Sequence, residues 1–465
     1  MKGLDDSDFR FFLAETAGSD NVETVISALS GRPSVSIRLN PYKKYDFAKE
    51  GLKSVPWNPY GYFLDNRPSF TLDPMFHAGA YYVQDSSAMF VGEVFRKVLD
   101  RVSCGSIIKV LDLCASPGGK TTDLAASLRS KYGNDFLLVS NEVIRQRASV
   151  LAGNVAIWGD PNVVVTSDDP KVFSSLPGFF DIILADVPCS GEGMFRKDPD
   201  AVSEWSPDVV RACAMRQKRI LADVWPALSN EGILIYSTCT FNKYENDDNV
   251  LWLSGELGAE VISGTLFDSM PSGVFFTDCG FMLLPGFVDG EGQYCSAAVK
   301  RGMPLSDDSG HSYLSKKKNR RNSLDLMTSS GIGTYFGPDM EIYRKDDYAV
   351  AMPSSVAVYG DDLDILHPLM KGLAAGLFKR NDFIPSADLA LSIATRENSF
   401  PSAELDLGQA LAFLHRDSIS VPDSPKGYVM VKYKGVPLGF VKNIGSRCNN
   451  LHPVSRRIKK DINLL

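Results

Sequence analysis

The chain has 465 residues, 44% of them apolar and 23% charged, a length for about two to four domains and the composition of a soluble globular protein. It lacks any run of about 18 apolar residues that could span a membrane, and its polar start, Met1-Lys2-Gly3-Leu4-Asp5-Asp6, lacks a signal peptide's apolar core, so a cytoplasmic protein is expected. A net charge of −7 speaks mildly against a nucleic-acid partner, but local clustering decides phosphate binding, and Lys316–Arg321 and the stretch from Lys426 to Lys460 are basic clusters.

In chain order, residues 1–100 form an N-terminal α+β region. Ser36–Asn40 is strand-like, the Pro/Gly/Asn-rich stretch Val55–Asn66 is expected to be irregular, and aromatic residues are dense, among them Trp57, Tyr60, Tyr62, Phe63, Tyr81 and Tyr82. From 101 to 301 the texture changes. Ile107–Leu113, Phe136–Ser140, Val163–Thr166, Asp181–Ala185 and Gly232–Ser237 are short apolar runs of the kind that form strands buried on both faces. Amphipathic stretches lie between them at Lys120–Tyr132, Arg145–Ile157 and Asp208–Leu228. Such alternation predicts an α/β, Rossmann-like, doubly wound parallel sheet, which binds ligands beyond the carboxyl ends of its strands.

Residues 302–335 are expected to be a linker, since Gly302–Ser330 is rich in Ser, Asp, Lys and Gly. A C-terminal α+β region follows over 336–415, with a strand expected at Tyr343–Met352 and helices at His367–Leu377 and Leu389–Ile393. A small β module closes the chain over 416–465, its strands in Gly427–Val441 turning at Lys434-Gly435.

The eight cysteines include no C-x-x-C pair and the five histidines do not cluster near them, so neither a disulfide framework nor a metal site is expected. The chemistry is sought at the strand ends. Val110–Thr122 reads as strand, tight turn and helix start, with Gly118 and Gly119 letting the backbone approach a ligand. A phosphate-binding P-loop needs glycine where Cys114 stands, and no G-x-G-x-x-G dinucleotide fingerprint is present. An ordinary strand–helix turn and a methyltransferase cofactor loop remain. Elements in register with the next strand ends favour the second: Glu142 is placed to accept hydrogen bonds from the ribose hydroxyls of an adenosyl group, and Ser167-Asp168-Asp169 follows the third strand, placed for the adenine amino group.

Cys189, in Asp186-Val187-Pro188-Cys189, follows the fourth of these strands, and Cys239, in Tyr236-Ser237-Thr238-Cys239, follows the fifth. A lone cysteine there is most often a small buried hydrophobe. Two at adjacent strand ends beside a cofactor loop, one preceded by Asp-x-Pro, point to chemistry. Spacing alone does not rank the two thiols.

Three blocks, Leu113–Thr122 (LCASPGGKTT), Asp186–Pro199 (DVPCSGEGMFRKDP) and Tyr236–Asn246 (YSTCTFNKYEN), resemble the motifs of the Sun/Fmu family of RNA cytosine-5 methyltransferases, in that family's order. The resemblance runs from about Ser36 through Arg301 and includes Ser36–Asn40, Gly79–Asp85 and a late hairpin near Gly290–Lys300. It implies S-adenosyl-L-methionine as cofactor, held by Cys114, Ala115, Ser116, Pro117, Gly118, Gly119, Lys120, Glu142, Asp169 and Asp186. It also implies that Cys239 is the nucleophile and that Cys189 assists release of the methylated base. Ser116 and Val187 stand where the family more often has alanine. The C-terminal part is similar to the extension of the RsmF-like bacterial members, which modify small-subunit ribosomal RNA, and Gly427–Val441 with Arg447–Pro453 resembles a small PUA-like RNA-binding barrel.

The chemistry accounts for a thiol and an acid. Carbon 5 of cytosine is too electron-poor to take a methyl group until a thiolate adds to carbon 6, which divides one hard step into two easier ones. An acid near ring nitrogen 3 must neutralise the developing charge, and Asp186 is the candidate, protonated or sharing a proton with the base, with burial available to raise its pKa. A free thiol has a pKa of about 8.5, so the attacking one needs activation. The target is expected to be unpaired or flipped out, with aromatics of the first region and the basic terminal module holding flanking RNA. A monomer acting on ribosomal RNA or the small subunit is expected. The rivals are methylation of tRNA or another RNA, a DNA, protein or small-molecule methyltransferase on the same fold, and a non-catalytic RNA-binding assembly factor.

Overall fold

The computed structural model describes residues 4, 6–48, 51–302, 325–327, 331–380 and 382–462. Two helices open the chain, α1 (Ser7–Ala17) and α2 (Val22–Leu29), and Asp6 caps α1 by accepting from the Asp8 and Phe9 amides. Strands β1 (Val35–Leu39), β2 (Gly61–Leu64) and β3 (Tyr81–Val83) form an antiparallel sheet with β1 in the middle. The short α3 (Pro74–His77) precedes β3, and α4 (Phe90–Leu99) follows it. The expected irregularity of 55–66 is thereby corrected at its end, where Tyr62 pairs with Ile37. Pro, Gly and Asn there signal the turn, but the strand exists because β1, distant in sequence, supplies its partner.

Arg38 of β1 is fully buried. It donates to Gln84 Oε1 (2.9 Å), Gly119 O (3.0 Å) and Thr122 Oγ1 (2.6 Å), lies 3.9 Å from Asp123 and stacks over Trp158 at 4.8 Å. One side chain thus fastens the N-terminal sheet to the helix that follows the cofactor loop. Arg38→Met strands several of these acceptors, so urea unfolding is expected to show a loss of about 3 kcal/mol, the scale of a broken buried ion pair.

The central sheet is built from β4 (Ile108–Asp112), α5 (Gly119–Tyr132), β5 (Phe136–Asn141), α6 (Arg145–Trp158), β6 (Val163–Thr166), β7 (Phe180–Asp186), α7 (Pro199–Glu204), α8 (Pro207–Val224) and β8 (Leu228–Thr238). After α9 (Asp247–Leu257) come β9 (Ala259–Val261), β10 (Val274–Phe276), β11 (Phe281–Leu283) and β12 (Gln293–Lys300). The nine strands run in the order β10-β11-β12-β8-β7-β4-β5-β6, with β9 on β12. The strands from β8 to β6 are parallel, while β12 is antiparallel to β8 and forms the expected late hairpin with β11.

Alternation along each strand feeds two cores. Val110, Leu138, Val165 and Ile182 face one side, under Phe90, Phe95, Leu124 and Leu151 of α4, α5 and α6. Leu111, Val139, Val164 and Ile183 face the other, against Phe9, Ile220, Leu221 and Val250 of α1, α8 and α9. Strands buried on both faces must read as unbroken apolar runs, as these do. The chain winds outward from β4 through β5 to β6, then returns to β7 on the other side of β4. The switch point between β4 and β7 is where such sheets leave a crevice.

Beyond the central sheet, β13 (Asp325–Leu326), β14 (Met340–Lys345), β15 (Tyr348–Pro353), α10 (Ser354–Ala357), α11 (Gly360–Asp364), β16 (Leu373–Lys379) and β17 (Asp382–Pro385) include a five-stranded antiparallel sheet. Then α12 (Ala387–Leu391), β18 (Ser402–Glu404), α13 (Leu407–His415), β19 (Gly427–Tyr433), β20 (Val436–Asn443) and β21 (Cys448–Asn450) carry a four-stranded sheet. The expected turn at Lys434-Gly435 is present, both residues having positive φ as a tight hairpin requires.

Two expectations fail here. Tyr343–Met352 is not one strand but the hairpin of β14 and β15, which turns at Asp346-Asp347 with Asp346 at φ 55°. His367–Leu377 is not helical: its first half is a loop whose Leu369 N–H donates to Val165 O (2.8 Å) at the edge of β6, and its second half is β16. Its spacing of apolar residues fits a helix, but cross-strand partners on β15 and β17 override that local preference. Most of the expected linker, including Lys316–Arg321, lies outside the described residues, while Asp325 and Leu326 pair with β14. Among the described residues, no helix is long and apolar enough to cross a membrane.

Candidate active site

Residues Cys114–Lys120 lead from the end of β4 into the first turn of α5. Gly118 sits at φ 109°, where a side chain is strained, and ends the loop so that the first amides of α5 face the crevice end of the sheet without helical partners. Thr121 Oγ1 donates to Asp112 Oδ2 (2.6 Å), Thr122 Oγ1 to Gly118 O (2.9 Å), and the Ala115 amide to Asn141 O (2.8 Å). Lys120 crosses the switch point and donates from Nζ to Asp186 Oδ2 (2.8 Å). Burial works against the Lys120 charge, but Asp186, with Cys239 and Asp112 adding to it, outweighs burial and the net shift is upward. The Cys114 thiol is pushed far up by burial and then by neighbouring carboxylates, which makes it a wall of the site rather than a nucleophile.

Glu142 stands at the end of β5 with its side chain 5% exposed. The Ile144 amide donates to its Oε1 (3.0 Å), and Arg147 approaches Oε2 at 3.4 Å. Asp169, after β6, is exposed and caps the short 3-10 turn Pro170–Ser175 by accepting from the Lys171 amide (3.0 Å). Its neighbour Asp168 is more buried, with Oδ2 lacking a hydrogen-bond partner among the described residues and Oδ1 3.9 Å from His367 Nδ1. Asn141 joins these strand ends. Its Nδ2 donates to Leu113 O (3.1 Å) and Asp168 O (2.9 Å), and its Oδ1 accepts from Thr166 Oγ1 (2.8 Å). The sequence reading places Asn141 beside Glu142 but misses this bracing role.

The two thiols meet. Cys189 Sγ and Cys239 Sγ are 3.2 Å apart, and Ser190 Oγ and Thr240 Oγ1, one residue on, are 3.0 Å apart. Asp186 lies at the end of β7 between them and the cofactor loop, with Oδ1 accepting from Ser237 Oγ (2.6 Å) and Oδ2 from Lys120.

Two buried carboxylates clasp the cysteine loops together, and sequence reasoning missed both. Glu192, in the Cys189 loop, accepts from the Phe241 amide (2.6 Å), the Asn242 amide (3.1 Å) and Trp205 Nε1 (2.9 Å). Glu245, in the Cys239 loop, accepts from the Ser190 amide (3.0 Å), Gln217 Nε2 (2.7 Å) and Asn242 Nδ2 (2.9 Å). Each loop thus lends a carboxylate to the other's backbone. Both residues stand inside the motif blocks, but glutamates beside Gly193 and Asn246 read locally as exposed loop charges.

Burial, and then Glu192, push Glu245 up to about 7, and burial pushes Asp112 up to about 7, from ordinary values of 4.5 and 3.8. Both folded values lie above the unfolded ones, so the folded state holds protons that the unfolded chain has released. Their contribution to stability is complete below about pH 4, is lost as pH rises toward about 7, and is flat above that. The loss is on the order of 3 kcal/mol for each group. Denaturant midpoints measured from pH 5 to 8 are expected to fall in the wild type and to fall less steeply in Glu245→Gln and in Asp112→Asn.

This sheet, with its ligand crevice at the β4/β7 switch, is the fold of an S-adenosylmethionine-dependent methyltransferase. A methyltransferase homolog from Pyrococcus horikoshii superposes with a TM-score of 0.53 at 25% identity, over 64% of this chain and 96% of that one. NSun6 from Pyrococcus horikoshii with SFG shares the fold at 18% identity and a TM-score of 0.52, over 64% and 99% of the two chains. The model of the 16S rRNA methyltransferase RsmB/F family matches residues 106–258. Models of the N-terminal domain of 16S rRNA methyltransferase RsmF and of the methyltransferase RsmF PUA domain match 8–86 and 400–458. Ribosomal RNA small subunit methyltransferase F of Serratia proteamaculans (strain 568) is 30% identical over 435 residues, 90% of this chain and 87% of that protein. The chain belongs to the RsmF family of S-adenosylmethionine-dependent RNA methyltransferases.

Proposed function

We propose that this protein forms 5-methylcytosine in small-subunit ribosomal RNA, with Cys239 adding to carbon 6 of the target base. The observation that carries the reading is the 3.2 Å contact between Cys189 and Cys239, at neighbouring strand ends beside the cofactor crevice. The small-subunit substrate rests on the relatives' names.

The site fits the cofactor. Asp112 Oδ1 and Asp168 Oδ2 are buried at the ends of β4 and β6 without hydrogen-bond partners among the described residues, acceptors left over for a ligand's N–H groups. Cys114–Lys120, Glu142, Asp169 and Asp186 would hold S-adenosyl-L-methionine, Asp169 through the carboxylate oxygen that its cap leaves open. When bound, it supplies the electrophilic methyl group that carbon 5 takes.

The protein's own groups divide the remaining work. Within the thiol pair, Cys189 is shifted upward, first by its hydrogen bond with Cys239 and then by burial. The resemblance to the Sun/Fmu family is what assigns the sulfur–carbon 6 bond to Cys239. Asp186 is the group for ring nitrogen 3. Both its oxygens accept hydrogen bonds, so a proton placed there either displaces Lys120 or Ser237 or arrives with the base. After methylation the carbon 5 proton leaves to a water molecule as the sulfur–carbon 6 bond breaks, and nitrogen 3 returns its proton to Asp186. The Cys189 S–H then stabilises the departing Cys239 sulfur by hydrogen bonding.

Eight free cysteines, two of them needed as thiols, suit the reducing cytoplasm. Bisulfite mapping of total RNA from cells with and without the protein tests the function. A protected cytosine in small-subunit ribosomal RNA is expected to lose protection when the protein is absent. A loss confined to tRNA would redirect the substrate, and the absence of any loss, with no labelled methyl transfer to naked RNA or subunits, would favour a non-catalytic assembly factor.

A further inference from the structure

A cavity of about 420 Å³ lies between the N-terminal sheet and α6, within the size range of small-ligand sites, about 300–1,000 Å³. Phe70, Phe76, Tyr81, Tyr82 and Trp158 supply aromatic wall, and Arg67 and Asn154 supply polar groups. Phe70 lies 6.3 Å from Phe76 and 6.2 Å from Tyr81, centroid to centroid, so the rings form a continuous surface.

The rim is positively charged. Arg67 is exposed, stands over the Phe70 ring at 5.6 Å and makes no ion pair among the described residues. Lys460 reaches the same rim from the terminal module and donates to Ser69 Oγ (2.8 Å). Asp73, whose carboxylate lies by the Tyr81 wall, is taken up by the Tyr81 hydroxyl (2.6 Å) and the Met75 amide (2.9 Å).

The cavity touches the cofactor loop from behind. Tyr82 Oη and Asn154 Nδ2 both donate to Pro117 O, at 3.1 and 2.8 Å. The thiols lie on the β7/β8 side of β4 and the cavity on the β5/α6 side, so one base cannot occupy both.

We propose that this cavity is a subsite for an unpaired nucleotide of the RNA substrate other than the target cytosine, its base stacked on the aromatic wall and its phosphate held by Arg67. The proposal rests on the RNA reading above. A stacked duplex presents only base edges, whereas an aromatic-walled cavity with a guanidinium at its lip matches a splayed base and its phosphate.

Equilibrium binding of the full chain to a pyrimidine-free, single-stranded oligoribonucleotide of about 12 nucleotides tests it, since no base in that probe offers the thiols a pyrimidine carbon 6. Phe70→Ala is expected to weaken binding about tenfold with its salt dependence unchanged. Arg67→Ala is expected to weaken binding and to lower the slope of log K against log salt by about 0.7, the signature of one lost phosphate contact on a single strand. Phe70→Trp should restore affinity and show fluorescence quenched by the oligonucleotide. Unchanged melting temperature and S-adenosyl-L-methionine affinity in each variant will show that fold and cofactor site are intact. If the wild type binds the probe and both truncations bind it equally well, the subsite is wrong and the RNA reading stands. If the wild type neither binds this probe nor methylates ribosomal RNA, both fall together.

Discussion

Cys239→Ser is expected to lower methyl transfer by at least about 10³-fold while S-adenosyl-L-methionine still binds, because the role proposed for the thiol is attack on the base and not cofactor binding. Serine is close to isosteric but lacks the nucleophilicity of a thiol. Cys189→Ala should behave differently. Attack on carbon 6 remains possible, but the hydrogen bond that stabilises the departing sulfur is lost, so a protein–RNA adduct should accumulate and migrate slowly on a denaturing gel. The two variants therefore fail at opposite ends of one reaction. An adduct with Cys239→Ser and none with Cys189→Ala would reverse the roles of the thiols. The 3.2 Å sulfur–sulfur contact makes the pair one unit, so the double variant should lose little more activity than Cys239→Ser alone.

Gly193→Ala is expected to be nearly as damaging, although it alters no titratable or nucleophilic group. The Gly193 amide donates to Cys239 O at 2.6 Å. A β-carbon built there overlaps that carbonyl oxygen and comes within 2.9 Å of Gly292 O. Neither obstacle is a flexible side-chain end, so the Cys239 loop or the Cys189 loop must move. A displacement of about 1 Å at reacting atoms can cost about 10²-fold in rate. Activity should fall by about that factor, with cofactor affinity near wild type because the cofactor loop lies across the switch point. Single-turnover kinetics would separate these effects, and a variant as fast as wild type would show that the loops tolerate the shift.

Much of the central sheet was legible because its strands are buried on both faces. A strand such as Val163–Thr166 carries its own evidence, since no exposed position interrupts the apolar run. Helices α5, α6 and α8 could be read from amphipathic spacing for the same local reason. The motif blocks were equally local: the loop after β4 and the two cysteine loops are each a strand end and a turn. The misreadings at Gly61–Leu64 and His367–Leu377 fall where the outcome rests on a partner far along the chain. Gly376 shows this well, for a β-carbon there would overlap Ile384 O of the paired strand β17. Locally, the same glycine reads only as a tolerable member of a helix.

The sequence by itself determined the fold class, the order of the strand ends and the residue types at each. Those follow from hydrophobic periodicity and turn chemistry, which are properties of neighbours in the chain. It also showed that two thiols and Asp186 stand at adjacent strand ends beside a glycine loop. Only the tertiary structure decided that the sulfurs touch, that Lys120 is held by Asp186, and that Glu192 and Glu245 bind each other's loops. It also decided that Arg38, on a strand of the first region, anchors the helix behind the cofactor loop. These are meetings of buried polar groups from distant segments. Each is specified by the requirement that a buried donor or acceptor find its partner, and a linear chain does not state which one it will find.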